Sequence, residues 1–208
     1  MDGERQAVEL ARSIAPACRD LAELRAALEA FEGLSIKQMA TRLVLSDGNP
    51  EAEIIIIGEA PGREEDRTGK PFVGEAGKLL DRMLASIGLD RTKVYITNTI
   101  LWRPPGNRNP SDVEVQAMLP FLHRQIELIQ PKLLMTTGNV PLKALFQGAG
   151  GITRERGKWR DHQAAFGSIP ALPVFHPAYL LRQPQLKRDA WADLRAFRAK
   201  AEELGINL

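Results

Sequence analysis

The chain has 208 residues, of which 44% are hydrophobic and 26% charged, and its formal net charge is +2 at pH 7. This length and hydrophobic fraction suit a single domain over residues 1–208 with a substantial core. No apolar run approaches the ~18 residues that a membrane span requires. The N-terminus lacks a basic start followed by an apolar stretch, and the single Cys18 excludes a disulfide within the chain. These features predict a cytoplasmic protein.

Apolar periodicity and turn residues predict the elements in chain order. Asp20 and Glu23 resemble a capping box that begins a helix ending near Phe31. Glu53–Gly58 is a short, β-branched apolar run, which is typical of a buried strand in a parallel sheet. The remaining predicted elements are a helix over Gly74–Ile87, a strand over Val94–Thr97, a helix over Ser111–Ile129, a strand over Lys132–Thr137, a helix over Asn139–Phe146, a strand over Leu172–Phe175 and a helix over Arg188–Leu204.

This alternation of strands and helices predicts an α/β fold with three layers, α/β/α, around a central, mainly parallel four-stranded sheet. Residues 1–30 are expected to form a helical extension packed on the domain, and an irregular basic segment is expected after Gly150. Ligands of such sheets bind at the carboxyl ends of the strands. The candidate site loops therefore begin at Gly58, Asn98 and His176.

The first candidate loop, Gly58–Gly77, contains five glycines and two prolines in 20 residues. This composition predicts a long, shaped turn whose backbone approaches a ligand closely. The loop lacks the Gly-Lys-Ser/Thr ending of a phosphate-binding loop and the spacing of a dinucleotide fingerprint. A ligand loop and a purely structural Ω-loop both remain open. Phe72 within the loop is either buried packing or a platform for a flat ligand such as a base.

The second candidate segment begins at Asn98, at the end of a predicted strand. An asparagine there either forms a turn or offers both a donor and an acceptor to one pyrimidine edge. The following Trp102-Arg-Pro-Pro-Gly-Asn-Arg108 is basic and stiff. It is either a proline-rich connector or a segment that holds a phosphate backbone through Arg103 and Arg108.

The third candidate segment, His176–Arg182, lies in the most basic part of the chain. Residues 176–200 carry four arginines and two lysines against two aspartates, whereas residues 1–30 carry four arginines against six acidic residues. A basic region suits a phosphate-backbone partner, although a solvated surface has the same composition. The pair Leu180-Leu181 beside Arg182 suits a wedge that enters a duplex.

Together these motifs resemble the uracil-DNA glycosylase superfamily, and within it family 4, the iron–sulfur type. The resemblance extends from about Phe31 to Trp191. The blocks that carry it are Gly58-Glu-Ala-Pro-Gly62, Pro71-Phe-Val-Gly74, Ile96-Thr-Asn98, Arg103-Pro-Pro-Gly-Asn-Arg108 and His176-Pro-Ala-Tyr-Leu-Leu-Arg182. It implies a monomeric base-excision-repair enzyme, associated with a bacterial nucleoid, that hydrolyses the N-glycosidic bond of uracil in DNA and leaves an abasic site.

The resemblance also implies roles by position. Glu59, Asn98 and His176 would be catalytic: Glu59 helps to position water or the sugar, Asn98 reads the Watson–Crick edge of uracil, and His176 donates to uracil O2. The uracil-binding residues would be Gly58, Ala60, Phe72, Asn98 and His176. The DNA-binding residues would be Arg103, Arg108, Tyr179, Leu180, Leu181 and Arg182. No lysine lies in the five blocks, so we expect simple hydrolysis without a Schiff base.

The chain departs from the family pattern at the cluster ligands. The four cysteines of family 4 would fall at Phe31, Leu34, Trp102 and Met118, and Cys18 matches none of them. One thiol cannot hold a [4Fe–4S] cluster, so we expect no iron and no other metal or cofactor. We expect the four apolar residues to gather in one buried patch in place of the cluster; the alternative is four unrelated packing residues.

Two other functions remain open on the sequence. The first is a catalytically weak or inactive protein that senses uracil or abasic DNA, which the missing cluster would allow. The second is an α/β protein that binds a nucleotide or phosphate and has no connection with DNA. That second alternative leaves the wedge-like segment after His176 without a use.

Overall fold

Six strands form the central sheet of the computed structural model, which describes residues 2–208. They are β1 (Ser46–Gly48), β2 (Ile54–Gly58), β3 (Tyr95–Asn98), β4 (Leu133–Thr137), β5 (Arg160–Ala164) and β6 (Gly167–Val174). Their order is β1-β3-β2-β4-β6-β5. The four central strands are parallel, and β1 and β5 are antiparallel edge strands. The α/β class with a mostly parallel sheet is confirmed, but the prediction of four strands is wrong.

The two edge strands escaped prediction because their sequences carry no continuous apolar run. β1 reads Ser-Asp-Gly and β5 reads Arg-Asp-His-Gln-Ala. Such polar sequences can form antiparallel edge strands because an edge strand needs only one buried face. The segment after Gly150, expected to be irregular, contains a short helix and β5. β6 also begins at Gly167, earlier than the predicted Leu172.

Ten helices surround the sheet in the part of the chain described. They are α1 (Asp2–Ile14), α2 (Leu21–Ala30), α3 (Ser35–Met39), α4 (Arg63–Thr68), α5 (Glu75–Ala85), α6 (Asp112–Ile129), α7 (Asn139–Leu145), α8 (Ile152–Glu155), α9 (Pro177–Arg182) and α10 (Lys187–Glu203). The predicted N-caps are present: Asp20 accepts from the Glu23 amide at 2.7 Å, and Ser111 forms a capping box with Glu114. Of these helices, none is long and apolar enough to cross a membrane.

Alternate side chains of β2 divide the core between the two faces of the sheet. Ile54 and Ile56 pack with the apolar residues of α5 and α10, whereas Ile55 and Ile57 pack with those of α6. A third hydrophobic cluster joins α1 and α2 to α6. The N-terminal helices therefore pack on the body of the protein, and the single-domain organisation of residues 1–208 stays a prediction.

Candidate functional site

The carboxyl ends of β2 and β3 place the first predicted site residues side by side. Gly58 and Asn98 are register partners in the parallel pair. A Cβ atom at residue 58 would overlap both the Asn98 Oδ1 and the Phe72 ring. The Gly58 carbonyl accepts from the amide and the hydroxyl of Thr99, each at 2.9 Å. Glycine is therefore required at 58, because the amide of Asn98 and the aromatic ring pack directly over the strand end.

Phe72 is held in an uncommon backbone conformation beside His176. Its φ is +54°, in the left-handed region, where a non-glycine residue is strained by roughly 1–2 kcal/mol. Its ring stacks on the His176 imidazole, with ring centroids 5.6 Å apart and planes inclined by 25°. The loop therefore fixes the direction of this ring at a cost in backbone energy, as is common at functional sites.

Two charged side chains hold the backbone around Phe72. Glu65 accepts from the Gly62 amide at 3.0 Å, and its second oxygen accepts from the Val73 and Gly74 amides at 2.9 and 2.8 Å. Arg91 donates to the Pro71 carbonyl at 2.9 Å and to the Phe72 carbonyl. The loop is thus fastened from both sides by ionised groups, which form stronger hydrogen bonds than neutral ones.

Arg91 is itself positioned by two carboxylates. It forms ion pairs with Asp47 at 2.8 Å and with Asp81 at 2.9 Å. Sequence reasoning missed both Glu65 and Arg91. The only signal for Glu65 was its place at the third position of α4, a short helix inside a segment expected to be a loop. No local pattern marked Arg91, because its partners come from three separate parts of the chain.

His176 caps the N-terminus of α9, so the expected third loop is a cap followed by a short helix. Its Nδ1 accepts from the Ala178 amide at 3.0 Å, which places the proton of the neutral ring on Nε2. Burial and, to a smaller extent, the nearby charge of Arg182 lower the pKa of His176 to about 4. At neutral pH the residue is therefore an uncharged Nε2–H donor of fixed orientation.

A cleft of about 790 Å³ opens beside this edge of the sheet. Its predicted members are Glu59, His176, Tyr179 and Arg182, and residues from the first half of α6, from α7 and from the start of α8 form most of the remaining wall. Burial raises the pKa of Glu59, and the charge of Arg182 opposes that increase. Phe72 and Asn98, only 6% and 3% exposed, are not among the residues that line the cleft.

The two consecutive leucines of α9, which the sequence could not distinguish, differ in exposure. Leu180 is 1% exposed and belongs to the core beneath the sheet, whereas Leu181 is 41% exposed. Consecutive positions of a helix point in different directions, so only one of the pair can face solvent. Of the two leucines predicted to contact DNA, Leu181 is therefore the one that the fold leaves accessible, and its contact with DNA stays a prediction. Arg182 lies 5.9 Å from the centre of the Tyr179 ring, so these two residues form one cationic and aromatic surface.

Arg103 and Arg108 bind within their own segment. Arg108 donates to both carboxylate oxygens of Glu114 at 3.0 and 2.6 Å, and Arg103 donates to the Asn107 amide oxygen at 2.8 Å. Neither arginine lines the cleft. Arg108 binds Glu114 at the N-terminus of α6, so the structure gives it a structural partner, and its contact with DNA stays a prediction.

The four positions at which the resemblance places the family's cluster ligands come together. Phe31, Leu34, Trp102 and Met118 are all buried and belong to one hydrophobic cluster, which we call the hydrophobic plug. The Phe31 ring stands edge-on to Phe121, with centroids 5.5 Å apart.

A lysine and the first loop adjoin the plug. The Lys37 ammonium donates to the Phe31 carbonyl at 2.7 Å and lies 5.9 Å from the centre of the Trp102 ring. Ala60 packs against the same cluster, so the plug supports the first loop directly.

These residues do not fit an iron–sulfur cluster. Such a cluster is held by thiolates, and the plug offers the single buried thiol of Cys18 among apolar side chains. Within residues 2–208, no group of three or more His, Cys, Asp or Glu side chains is arranged to hold a metal ion.

Comparison with known proteins decides the family. The model of the uracil DNA glycosylase superfamily matches residues 45–195. The chain belongs to this superfamily.

Among its relatives, a type-4 uracil-DNA glycosylase of Sulfurisphaera tokodaii is 42% identical over 79% of this chain and 77% of its own length. One of Archaeoglobus fulgidus is also 42% identical, over 74% of this chain and 80% of its own length. A type-5 uracil-DNA glycosylase of Thermus thermophilus is 30% identical over 50% of this chain. The resemblance to the type-4 enzymes is therefore both higher and more extensive.

Proposed function

We propose that this protein hydrolyses the N-glycosidic bond between uracil and deoxyribose in DNA, leaving an abasic site in an uncut strand. The observation that carries the proposal is the neutral, oriented His176 Nε2–H donor stacked on Phe72 at the same sheet edge as Asn98. Similarity to type-4 uracil-DNA glycosylases over about three quarters of the chain supports the same activity.

His176 would stabilise the charge that develops as the bond breaks. When the bond between uracil N1 and the sugar carbon breaks, its electron pair moves to uracil and increases the negative charge on O2. A fixed donor aimed at such an oxygen is typically worth about 2.7–4 kcal/mol. The low pKa of His176 means that it donates a hydrogen bond as a neutral group and keeps its proton. Water then adds to the sugar, and a proton from that water neutralises the departing base.

Asn98 and Phe72 would select the base. The amide oxygen of Asn98 accepts from uracil N3–H while its NH₂ group donates to O4. Cytosine would place its own amino group against the Asn98 donor, and an unpaired polar pair in a buried site is strongly rejected. The Phe72 ring adds stacking worth ~1–3 kcal/mol for any flat base. Because both residues are buried, the base must be flipped fully out of the helix to reach them.

Glu59 and the exposed end of α9 would complete the site. Glu59 lines the cleft beside Arg182, where its carboxylate is placed to hold water near the sugar. Leu181 is exposed next to Arg182, so it would fill the gap left in the base stack while the guanidinium holds a phosphate. Uracil-containing DNA is the partner, and we propose that the protein acts as a monomer.

We also propose that the protein works without an iron–sulfur cluster. The hydrophobic plug fills the positions of the four ligands and supports Ala60 in the first loop, so apolar packing takes over the structural role. Iron analysis of the purified protein is expected to find no iron above background. An iron content of four atoms per chain would overturn this proposal.

One assay tests the activity. A labelled oligonucleotide with a single uracil is incubated with the protein and then treated with alkali, which cleaves abasic sites. We expect alkali-dependent cleavage that falls about 100–1,000-fold in His176→Ala and strongly in Asn98→Ala. His123→Ala is the matched control. This variant should retain full activity because His123 lines a different cavity.

Three outcomes would contradict the proposal. Tight binding of uracil DNA without uracil release would indicate a sensor. Neither binding nor release would indicate an α/β protein that does not act on DNA. A covalent adduct trapped by borohydride would indicate a Schiff-base reaction that also cleaves the strand.

A further inference from the structure

One face of α10 carries cations that the site described above does not use. Lys187, Arg188 and Arg195 are exposed, and Trp191 between them is 46% exposed. The opposite side of the helix is buried in the core through residues that include Ala190, Leu194, Phe197 and Ala201. With 3.6 residues per turn, Arg188, Trp191 and Arg195 lie within about 60° of one another around the helix axis, and all three are exposed. We call these four exposed residues the α10 face.

The carboxylate of Asp193, in the first half of the helix, is directed away from this face. Asp193 is buried and ion-paired with Arg156, whose Nε lies 2.7 Å from a carboxylate oxygen. The same guanidinium contacts the Asp189 carbonyl at 3.5 Å. Arg156 therefore neutralises the Asp193 carboxylate, so that in the first half of α10 only Asp189 opposes the three cations of the α10 face.

The other cations of α10 have partners further along the helix. Arg198 is paired with Glu202 at 3.0 Å, and Lys200 with Glu203 at 3.3 Å. The three cations of the α10 face take part in none of the ion pairs found within residues 2–208. The unpaired charge is thus confined to the first half of the helix, the half nearest α9.

The α10 face is continuous with the proposed wedge. Helix α9 ends at Arg182, and the short turn Pro184–Leu186 leads directly into α10. At 1.5 Å per residue, Arg188 and Arg195 lie about 10 Å apart along the helix axis. Phosphates on one strand of B-DNA follow one another every ~3.4 Å along the duplex axis, so this spacing spans about three nucleotides.

We propose that the α10 face binds the phosphate backbone of the duplex arm beside the flipped nucleotide. This inference rests on the proposed function, because it assumes that Leu181 and Arg182 meet DNA at the uracil. Lys187, Arg188 and Arg195 contact phosphates, and the exposed indole of Trp191 packs on the sugars between them. The face adds affinity for any duplex and leaves the chemistry of base release unchanged.

The test measures the affinity of a uracil-free duplex as a function of salt concentration. The double variant Arg188→Gln/Arg195→Gln is compared with Arg198→Gln, a control on the same helix whose arginine already has a carboxylate partner. Loss of two phosphate contacts should reduce the slope of log K against log salt by about 1.8 and weaken binding about tenfold or more near 0.1 M salt. The control should leave both almost unchanged.

Two further measurements separate this inference from the proposed function. The rate of uracil release at saturating protein should be the same in the double variant and the unmodified protein. DNA should also change the tryptophan emission of the unmodified protein, and Trp191→Phe should remove most of that change.

An unchanged salt slope in the double variant would overturn the inference. The α10 face would then be exposed to solvent or would bind an acidic protein surface. Failure of the unmodified protein to release uracil would count against the proposed function alone, since the binding assay contains no uracil.

Discussion

The loop around Phe72 and the hydrophobic plug hold their residues by different physical means. Around Phe72 the backbone is strained, and it is held by hydrogen bonds that its amides donate to Glu65 and that its carbonyls accept from Arg91. In the plug, buried apolar side chains pack on α1, α2 and α6. Directional bonds require particular donors and acceptors, whereas packing requires mainly volume. Residues of the plug can therefore change in type if their volume is kept, whereas the residues that hold the Phe72 loop must keep their donors and acceptors.

Removing the largest side chain of the plug tests whether packing alone holds this region. Trp102→Ala should lower the free energy of unfolding by about 3–5 kcal/mol, because it leaves a cavity in the cluster to which Phe31 and Met118 also belong. Urea unfolding monitored by circular dichroism measures this loss. Trp102→Phe preserves more of the volume and should lose considerably less. Equal losses in the two variants would show that volume is not what the plug supplies.

Weakening the charged contacts that hold the Phe72 loop should reduce activity more than stability. Arg91→Gln removes the ion pairs to Asp47 and Asp81 and weakens the bonds to the carbonyls of Pro71 and Phe72. Because small misplacements of a site can cost up to 100-fold, we expect kcat/KM for uracil release to fall about 10–100-fold. Arg124→Gln, which removes an arginine that binds the Cys18 carbonyl and Glu127 and makes no hydrogen bond to the loop, is the control. An unchanged kcat/KM in Arg91→Gln would show that Phe72 is held without Arg91.

The low pKa of His176 should appear in the pH dependence of stability. Burial holds this pKa near 4, below the ordinary value of about 6.5, so the unfolded chain takes up a proton first as pH falls. The free energy of unfolding should therefore decrease between pH 6.5 and 4, by up to about 1.4 kcal/mol per pH unit for this group. Urea unfolding at several pH values should give a shallower slope in His176→Gln.

His162 is the internal control for that measurement. Burial and the neighbouring His123 lower its pKa to about 4 as well. His162→Gln should flatten the same slope by a similar amount but leave uracil release unchanged. A loss of activity in His162→Gln would mean that the two histidines cannot be separated in this way.

The two leucines of α9 give the smallest expected effect on activity. Leu181→Ala should reduce release of uracil from duplex DNA about three- to tenfold, because an inserted side chain offsets part of the cost of unstacking. Release from single-stranded DNA should change little. Leu180→Ala should instead destabilise the fold by about 2–5 kcal/mol. Equal effects of Leu181→Ala on both substrates would contradict insertion of Leu181 into the duplex.

Much of the fold could be predicted from local patterns. The isoleucine run of β2, the capping box at Ser111 and the periodicity of α5 each lie within one stretch of chain. The bounds of these three elements agree with the predicted ones within a few residues. The edge strands could not be predicted because polar residues form strands there only when a neighbouring strand is present. β5, for example, depends on its pairing with β6.

The sequence by itself determined the alternation of strands and helices and the chemical identity of the site motifs. It also showed that a single cysteine is too few for the four ligands of a cluster. These are properties of composition and local order. Only the tertiary structure decided which leucine is exposed, that Arg91 reaches the Phe72 loop, and that Phe31, Leu34, Trp102 and Met118 form one plug. Each of these depends on segments far apart in the chain meeting in space, where burial and partner geometry, rather than residue type, fix the outcome.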